Sequence, residues 1–217
     1  MTKYIYLHGF ASSPQSAKAQ DINKRFAQIH TQLTIPDLNT GGFSGLTITR
    51  QIQQVAALFP DNSVPVTLIG SSLGGLTAAH LAQQYSQVQR LVLLAPAFAF
   101  LSHWLPKLGE EAIQLWQQQG NYQVYHYGEG KSLPLSYNFV TDAAQYQEHT
   151  LQRPIPTLIL HGKQDEVIPI TASRDFARYR PWVELVELDS DHALGNVMEE
   201  IWQAISLFCQ LPESGKI

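Results

Sequence analysis

Cysteine is nearly absent. Cys209 is the single one in 217 residues, so no intramolecular disulfide can staple the chain, and its apolar, helix-patterned neighbourhood reads as a small buried hydrophobe. Basic residues are also sparse. Fourteen Lys and Arg stand against eighteen Asp and Glu, for a formal charge of −4. They form no cluster able to neutralise a run of phosphates, which argues against a nucleic-acid partner. Apolar runs are short as well. The longest, Leu91 to Leu101, is interrupted by Pro96 and falls well below the roughly 20 residues of a membrane-spanning helix. Met1-Thr2-Lys3-Tyr4 leads straight into a strand pattern without a signal-peptide pattern, and a reducing cytoplasm is expected. No Gly-x-Gly-x-x-Gly spacing, His-Glu-x-x-His run or paired-cysteine motif occurs, so neither a cofactor nor a metal is expected. Internal repeats, low-complexity segments and any signal for an oligomeric state are missing too.

What is present is ordinary globular material, 44% hydrophobic and 15% charged. A chain of this length buries roughly 70–75% of its unfolded surface, enough for one core and a single domain over residues 1–217. Short apolar runs alternate with longer amphipathic ones, which is the α/β pattern. Strands are expected at Lys3–Leu7, Leu33–Ile35, Val66–Ile69, Arg90–Leu94, Thr157–Leu160 and Val183–Glu187. Several are nearly continuous apolar runs, as in a mostly parallel, doubly wound sheet of about six strands covered on both faces. Helices are expected at Ala17–Ile29, with Ser13-Pro14 as its cap and first residue, and at Leu46–Phe59, Leu73–Tyr85, Thr171–Tyr179 and Gly195–Cys209. Residues 98–156 exceed any ordinary connection and read as an insertion. One helix is expected there, Glu110–Gln119, beside an aromatic-rich stretch with Tyr122, Tyr125, His126, Tyr127, Tyr137 and Phe139. The segment is either a lid over a pocket or an excursion that adds core.

Gly70-Ser71-Ser72-Leu73-Gly74-Gly75 follows the apolar run Val66–Ile69 and precedes the Leu73, Leu76, Thr77, His80, Leu81 helix pattern. That is the context of a nucleophile elbow, in which a tight strand-to-helix turn lifts a serine clear of the sheet. Only Ser72 has glycine two residues to either side, which sets the register. The rival reading, a Gly-rich phosphate loop, lacks the closing Lys-Ser/Thr pair.

A serine hydroxyl at neutral pH needs an imidazole to take its proton and a carboxylate to hold that imidazole. Later strand-loop-helix junctions supply both. Asp165 follows the strand at Thr157–Leu160, and His192 lies between the last strand and the last helix. Glu166, Asp189 and Asp191 are rival carboxylates. Of the other histidines, His30, His80, His103 and His149 read as solvated or packing residues and His126 belongs to the insertion. His8 and His161 each precede a glycine after a strand and read as loop-shaping residues. An oxyanion hole needs two N–H donors; the backbone of Leu73 and that of Phe10, in the loop after the first strand, are the candidates. Phe98, Phe100, Leu101, Trp104 and Leu105 could line an acyl groove or be core of the insertion. Lys18 and Lys163 read as solvated surface charges.

Tyr6-Leu7-His8-Gly9-Phe10, Ser12-Ser13-Pro14 with Ser16-Ala17-Lys18-Ala19, the Gly70–Gly75 run and Asp191-His192-Ala193 together resemble the small bacterial α/β-hydrolases of the YqiA/YcfP esterase type. The resemblance implies an α/β-hydrolase fold whose sheet begins at the strand carrying the oxyanion loop. It also implies action on carboxylic ester or thioester bonds of a small molecule, with Ser72, Asp165 and His192 as the triad. Cleavage of another bond type, carbon–carbon or peptide, and a non-catalytic binding role are the alternatives.

Overall fold

A computed structural model describes residues 2–60 and 64–212. In chain order the regular elements are β1 (Lys3–Leu7), α1 (Ala17–Gln28), β2 (Leu33–Thr34), α2 (Ile48–Ala56), β3 (Val66–Ser71), α3 (Leu73–Gln84) and β4 (Val88–Leu94). There follow α4 (Phe100–Leu108), α5 (Glu110–Gln119), β5 (Asn121–His126), β6 (Lys131–Ser136) and α6 (Asn138–Ala143). The chain closes with β7 (Thr157–Gly162), α7 (Ile170–Arg178), β8 (Val183–Leu188) and α8 (Met198–Cys209).

Six strands form one sheet in the order β2-β1-β3-β4-β7-β8, and every pairing in it is parallel. Period-two alternation sends Ile5, Leu7, Leu68 and Leu93 to one face and Tyr4, Tyr6, Ile69 and Val92 to the other. The first face carries α2, α3 and α7 with much of the 98–156 segment. The second carries α1 and α8, whose Ile22, Phe26, Ile201 and Ile205 are fully buried. Each such side chain contributes about 1.5–3 kcal/mol by leaving water. The chain runs from β1 outward to β2, then crosses back to β3. The connections after β1 and β3 therefore diverge to opposite faces and open a crevice at their C-terminal ends, the place where open α/β sheets bind ligands. Ser72 and the Phe10 loop both sit there.

Local chemistry accounts for where the elements depart from expectation. Ser13-Pro14 does not open α1. Ser13 instead closes a turn, accepting from the Gln15 N–H through Oγ at 3.2 Å and from the Ser16 N–H through its carbonyl at 3.1 Å, and the helix begins after Ser16. Helix α2 starts later than the apolar pattern suggests, because Thr47 Oγ1 caps it by accepting the Arg50 N–H at 3.0 Å. It ends early because Leu58 and Phe59 donate to Val55 and Ala56 carbonyls in a tightened turn before Pro60.

The insertion holds more than the one expected helix. Helix α4 precedes α5, and β5 and β6 pair as an antiparallel hairpin with Gln123 opposite Pro134. A two-stranded ribbon tolerates that proline because each strand has an outer edge that needs no N–H donor. Trp116, Leu135 and Phe139 of this segment are buried in the same core as the sheet, and Trp116 Nε1–H donates to the Leu135 carbonyl at 2.8 Å.

Candidate active site

Ser72 caps the junction between β3 and α3 with φ 52° and ψ −119°, a backbone region that costs a non-glycine residue about 1–3 kcal/mol. The surroundings hold it there. Its N–H donates to the Leu94 carbonyl at 2.9 Å, and its carbonyl accepts from Gly75 and Ala97 at 2.9 and 3.0 Å. The flanking glycines follow from contact rather than from flexibility. A Cβ on Gly70 would strike the Gly74 backbone, and one on Gly74 would strike the carbonyls of Leu7 and His8. Thus β1, the turn and α3 close on one another only without side chains at those two positions.

His192 lies between β8 and α8, and Asp165 in the loop after β7. His192 Nε2 is 3.1 Å from Ser72 Oγ, and His192 Nδ1 is 2.7 Å from Asp165 Oδ2. Asp165 Oδ1 accepts the N–H groups of Val167 and Ile168, both at 2.8 Å. Burial pushes this carboxyl up, but hydrogen bonds from His161 and His192 and from the Ile168 N–H outweigh it and hold the group well below the usual carboxylate range. An ionised Asp165 fixes the proton on His192 Nδ1, leaving the Nε2 lone pair facing the serine. The rival carboxylates are engaged elsewhere. Asp191 Oδ1 accepts from Ala193 and Leu194, Asp189 Oδ1 accepts from Gln164, and Glu166 is exposed.

Two histidines support these loops from behind. His8 Nε2 accepts the Leu38 N–H at 3.0 Å, so its Nδ1 carries the proton and donates to the Gly9 carbonyl at 3.0 Å. Burial lowers the His8 pKa, which keeps the ring neutral and the loop after β1 tied to the 38 region. His161 is wholly buried, and its Nε2 lies 3.1 Å from Asp165 Oδ2 and 3.0 Å from the Ile168 carbonyl. Facing two acceptors, Nε2 is a donor, and Nδ1 meets Ser173 Oγ at 2.7 Å. The i, i+4 spacing of His161 and Asp165 in one strand-loop junction was the available signal for this contact; sequence reasoning assigned His161 to loop shape alone. The remaining histidines stay apart from the serine. His80 is buried against Tyr146 and burial lowers it to about 4, while His126 packs edge-on to Phe43.

The N–H groups of Phe10 and Leu73 donate to no protein acceptor among the described residues. The Phe10 ring packs against Phe43, Phe100, Trp104 and Phe139, with centroids 5.2–5.8 Å apart. Two cavities open beside Ser72 and His192, of about 870 and 910 Å³, with Phe10 and Tyr127 lining both. Phe100 and Trp104 line the larger one, whereas Phe98 is core, stacked on Phe176 at 4.1 Å. Lys18 is not a solvated surface charge. It lines the smaller cavity with Nζ 3.4 Å from the His192 carbonyl oxygen, and burial lowers its pKa to about 8 against the opposing pull of Asp165 and Asp191. Lys163, by contrast, is exposed as expected.

A family model described as Uncharacterised protein family (UPF0227) matches residues 3–209. The chain belongs to that family. No curated protein matches it. Among solved structures it is similar to Est1E from Butyrivibrio proteoclasticus with ferulic acid bound, at 21% identity and a TM-score of 0.78, over 97% of this chain and 88% of that one. It is similar to mouse alpha/beta hydrolase domain-containing protein 10, at 22% identity and a TM-score of 0.78, over 97% and 90%. MGS-MChE2, an alpha/beta hydrolase enzyme from a sediment metagenome of the Mar Chica lagoon, aligns at 19% identity and a TM-score of 0.69, over 96% and 90%. The fold is therefore that of the α/β hydrolases. No helix among the described residues is long and apolar enough to cross a membrane.

Proposed function

We propose that this protein is a cytoplasmic serine hydrolase that cleaves carboxylic ester or thioester bonds of a small molecule through an acyl-enzyme on Ser72. One observation carries the reading: the hydrogen-bonded line from Ser72 Oγ through His192 to Asp165, at 3.1 and 2.7 Å, in the crevice where the sheet's connections diverge. A binding module has no need of a base aimed at a serine.

Ser72 Oγ attacks the acyl carbon while its proton passes to His192 Nε2, and Asp165 stabilises the imidazolium that forms. The oxyanion of the tetrahedral intermediate takes the unspent N–H groups of Phe10 and Leu73; loss of one such donor typically costs about 10²–10³ in turnover. His192 then protonates the departing oxygen or sulfur, and the intermediate collapses to the acyl-enzyme. Water, deprotonated by the same nitrogen, releases the acid and restores the Ser72 hydroxyl. Residues 98–156 act as a cap, because α4 and the β5–β6 hairpin supply Phe100, Trp104, Val124 and Tyr125 to the larger cavity. The similarity to Est1E, a structure with a bound aromatic acid, is compatible with an aromatic-walled acyl site.

Hydrolysis of p-nitrophenyl esters from acetate to palmitate, with wild type beside Ser72→Ala, tests the proposal. Ser72→Ala is expected to lose on the order of 10⁶-fold in kcat and all labelling by a fluorophosphonate, which needs an activated serine. Undiminished turnover or labelling in that variant would overturn the mechanism.

A further inference from the structure

The two cavities that meet at Ser72 differ in chemistry. The larger one is walled by Phe10, Phe100, Trp104 and Val167, and its carboxylates are Glu166 and Asp191. The smaller one is lined by Ser12, Ser13, Gln15 and Ser16, together with Lys18. Apart from His192, Lys18 is the one basic side chain among the described residues that borders either cavity.

The Lys18 ammonium is poorly matched by the protein around it. It has three donors. Its one hydrogen-bond partner among the described residues is the His192 carbonyl, at a long 3.4 Å. Asp21, the carboxylate in the same cavity, is held by Arg25 at 2.7 Å. Asp165 already accepts four donors, and Asp191 accepts two backbone N–H groups. Ser16, at the mouth of α1, makes no side-chain cap to that helix, and its O–H is a donor a ligand can use. A charged group that burial disfavours, beside a nucleophile and short of acceptors, is suited to an anion brought by a ligand.

We propose that the smaller cavity is a subsite for an anionic group of the substrate, a carboxylate or a phosphate, bound by Lys18 Nζ with the nearby serine hydroxyls. The inference rests on the reading of Ser72 as the nucleophile. It narrows the substrate to an ester or thioester that is apolar on one side of the scissile bond and negatively charged on the other. Glu166 and Asp191 disfavour the charged end in the aromatic cavity, so attraction on one side and repulsion on the other set the direction of binding.

Two matched substrate pairs test it. 4-Nitrophenyl hexanoate and mono-4-nitrophenyl adipate differ by a carboxylate at the far end of the acyl chain. The butyrates of 4-nitrophenol and 3-carboxy-4-nitrophenol differ by one on the leaving group. Each kcat/KM is normalised to the ester's rate with hydroxide, in wild type and in Lys18→Met. Wild type is expected to favour the charged member of one pair by about tenfold or more, the scale of a charge-assisted hydrogen bond, and Lys18→Met to bring that ratio near one. A lysine that merely braced the His192 loop would lower both members together and leave the ratio unchanged. No preference in either pair, or one that survives Lys18→Met, overturns the proposal. Calorimetric binding to Ser72→Ala separates this from the serine mechanism: the charged member of one of the two pairs should bind about tenfold more tightly than its neutral partner even if wild type turns over neither, and equal affinities within both pairs refute the subsite.

Discussion

Asp165→Asn is the substitution that tests the site most sharply, because the carboxylate accepts on all sides. Oδ1 takes two backbone N–H groups at 2.8 Å, and Oδ2 takes His192 Nδ1 at 2.7 Å and His161 Nε2 at 3.1 Å. An amide has one oxygen and one NH₂. Turned toward Val167 and Ile168, the NH₂ would face two backbone donors that cannot reverse. It must therefore face the histidines, and His192 can meet it only by moving its proton from Nδ1 to Nε2. The base nitrogen then presents a hydrogen to Ser72 Oγ instead of a lone pair. The expected loss is about 10⁴-fold in kcat, the scale of a wrong-tautomer triad, or roughly 5 kcal/mol of transition-state stabilisation. Stability should fall too, by about 3 kcal/mol for the lost charge-assisted bonds, which lowers Tm by about 6–12 °C in a domain of this size. The pH dependence has a fixed sign. Asp165 has a folded pKa below its unfolded value, so its contribution is fully present above about pH 4 and disappears as pH falls through the folded value. The gap in Tm between wild type and Asp165→Asn should accordingly be wide at pH 7 and narrow progressively below pH 4. Ester kinetics with a melting curve at each pH reads all three quantities. An Asp165→Asn enzyme within tenfold of wild type, or a Tm gap that does not narrow in acid, would refute the reasoning.

His161→Leu removes one donor from Asp165 and leaves Ser173 Oγ facing an apolar side chain. It should lower kcat about tenfold with KM little changed, whereas a purely structural loss would appear in Tm alone and leave the kcat of the folded fraction intact. Gly74→Ala should prevent folding or lower Tm by more than about 10 °C, since its Cβ meets the backbone carbonyls of Leu7 and His8. Gly75→Ala should be milder, its nearest contacts being 3.1–3.2 Å and partly to the Pro96 side chain, so equal melting temperatures for the two variants would contradict the packing described.

The parts of this molecule legible in its sequence are those whose physics is local or repeats with a short period. Buried parallel strands advertise themselves as nearly continuous apolar runs in several cases here, and all six strands of the main sheet lie where they were expected: β1 with the same ends, β2 one residue shorter, and β3, β4, β7 and β8 longer by one or two residues. Ser72 was legible because its turn demands glycine at fixed offsets, and His192 because one strand-to-helix junction near the end of the chain offers a histidine. The β5–β6 hairpin was not. Its strands alternate with polar residues, one contains Pro134, and what holds them is burial of Leu135 and Trp116 against elements distant in sequence. Tertiary packing there overrides a weak local preference.

Lys18 shows the same limit from the side of function. Within its own helix it is an ordinary lysine one residue into a first turn, and the local pattern reads it, like Lys163, as a solvated surface charge. Its character comes from a loop 174 residues away, where the His192 carbonyl meets its Nζ, and from a cavity wall assembled from segments before α1, after β3 and after β8. The proposed nucleophile and its base are specified by what each loop must be, whereas the charge proposed to choose the substrate is specified by which loops the sheet order brings together. Divergence of α1 and α3 to opposite faces at β1 and β3 is what sets Lys18 beside Ser72. A substitution that keeps the triad but changes the first turn of α1 should therefore alter which esters are taken without altering how they are cleaved.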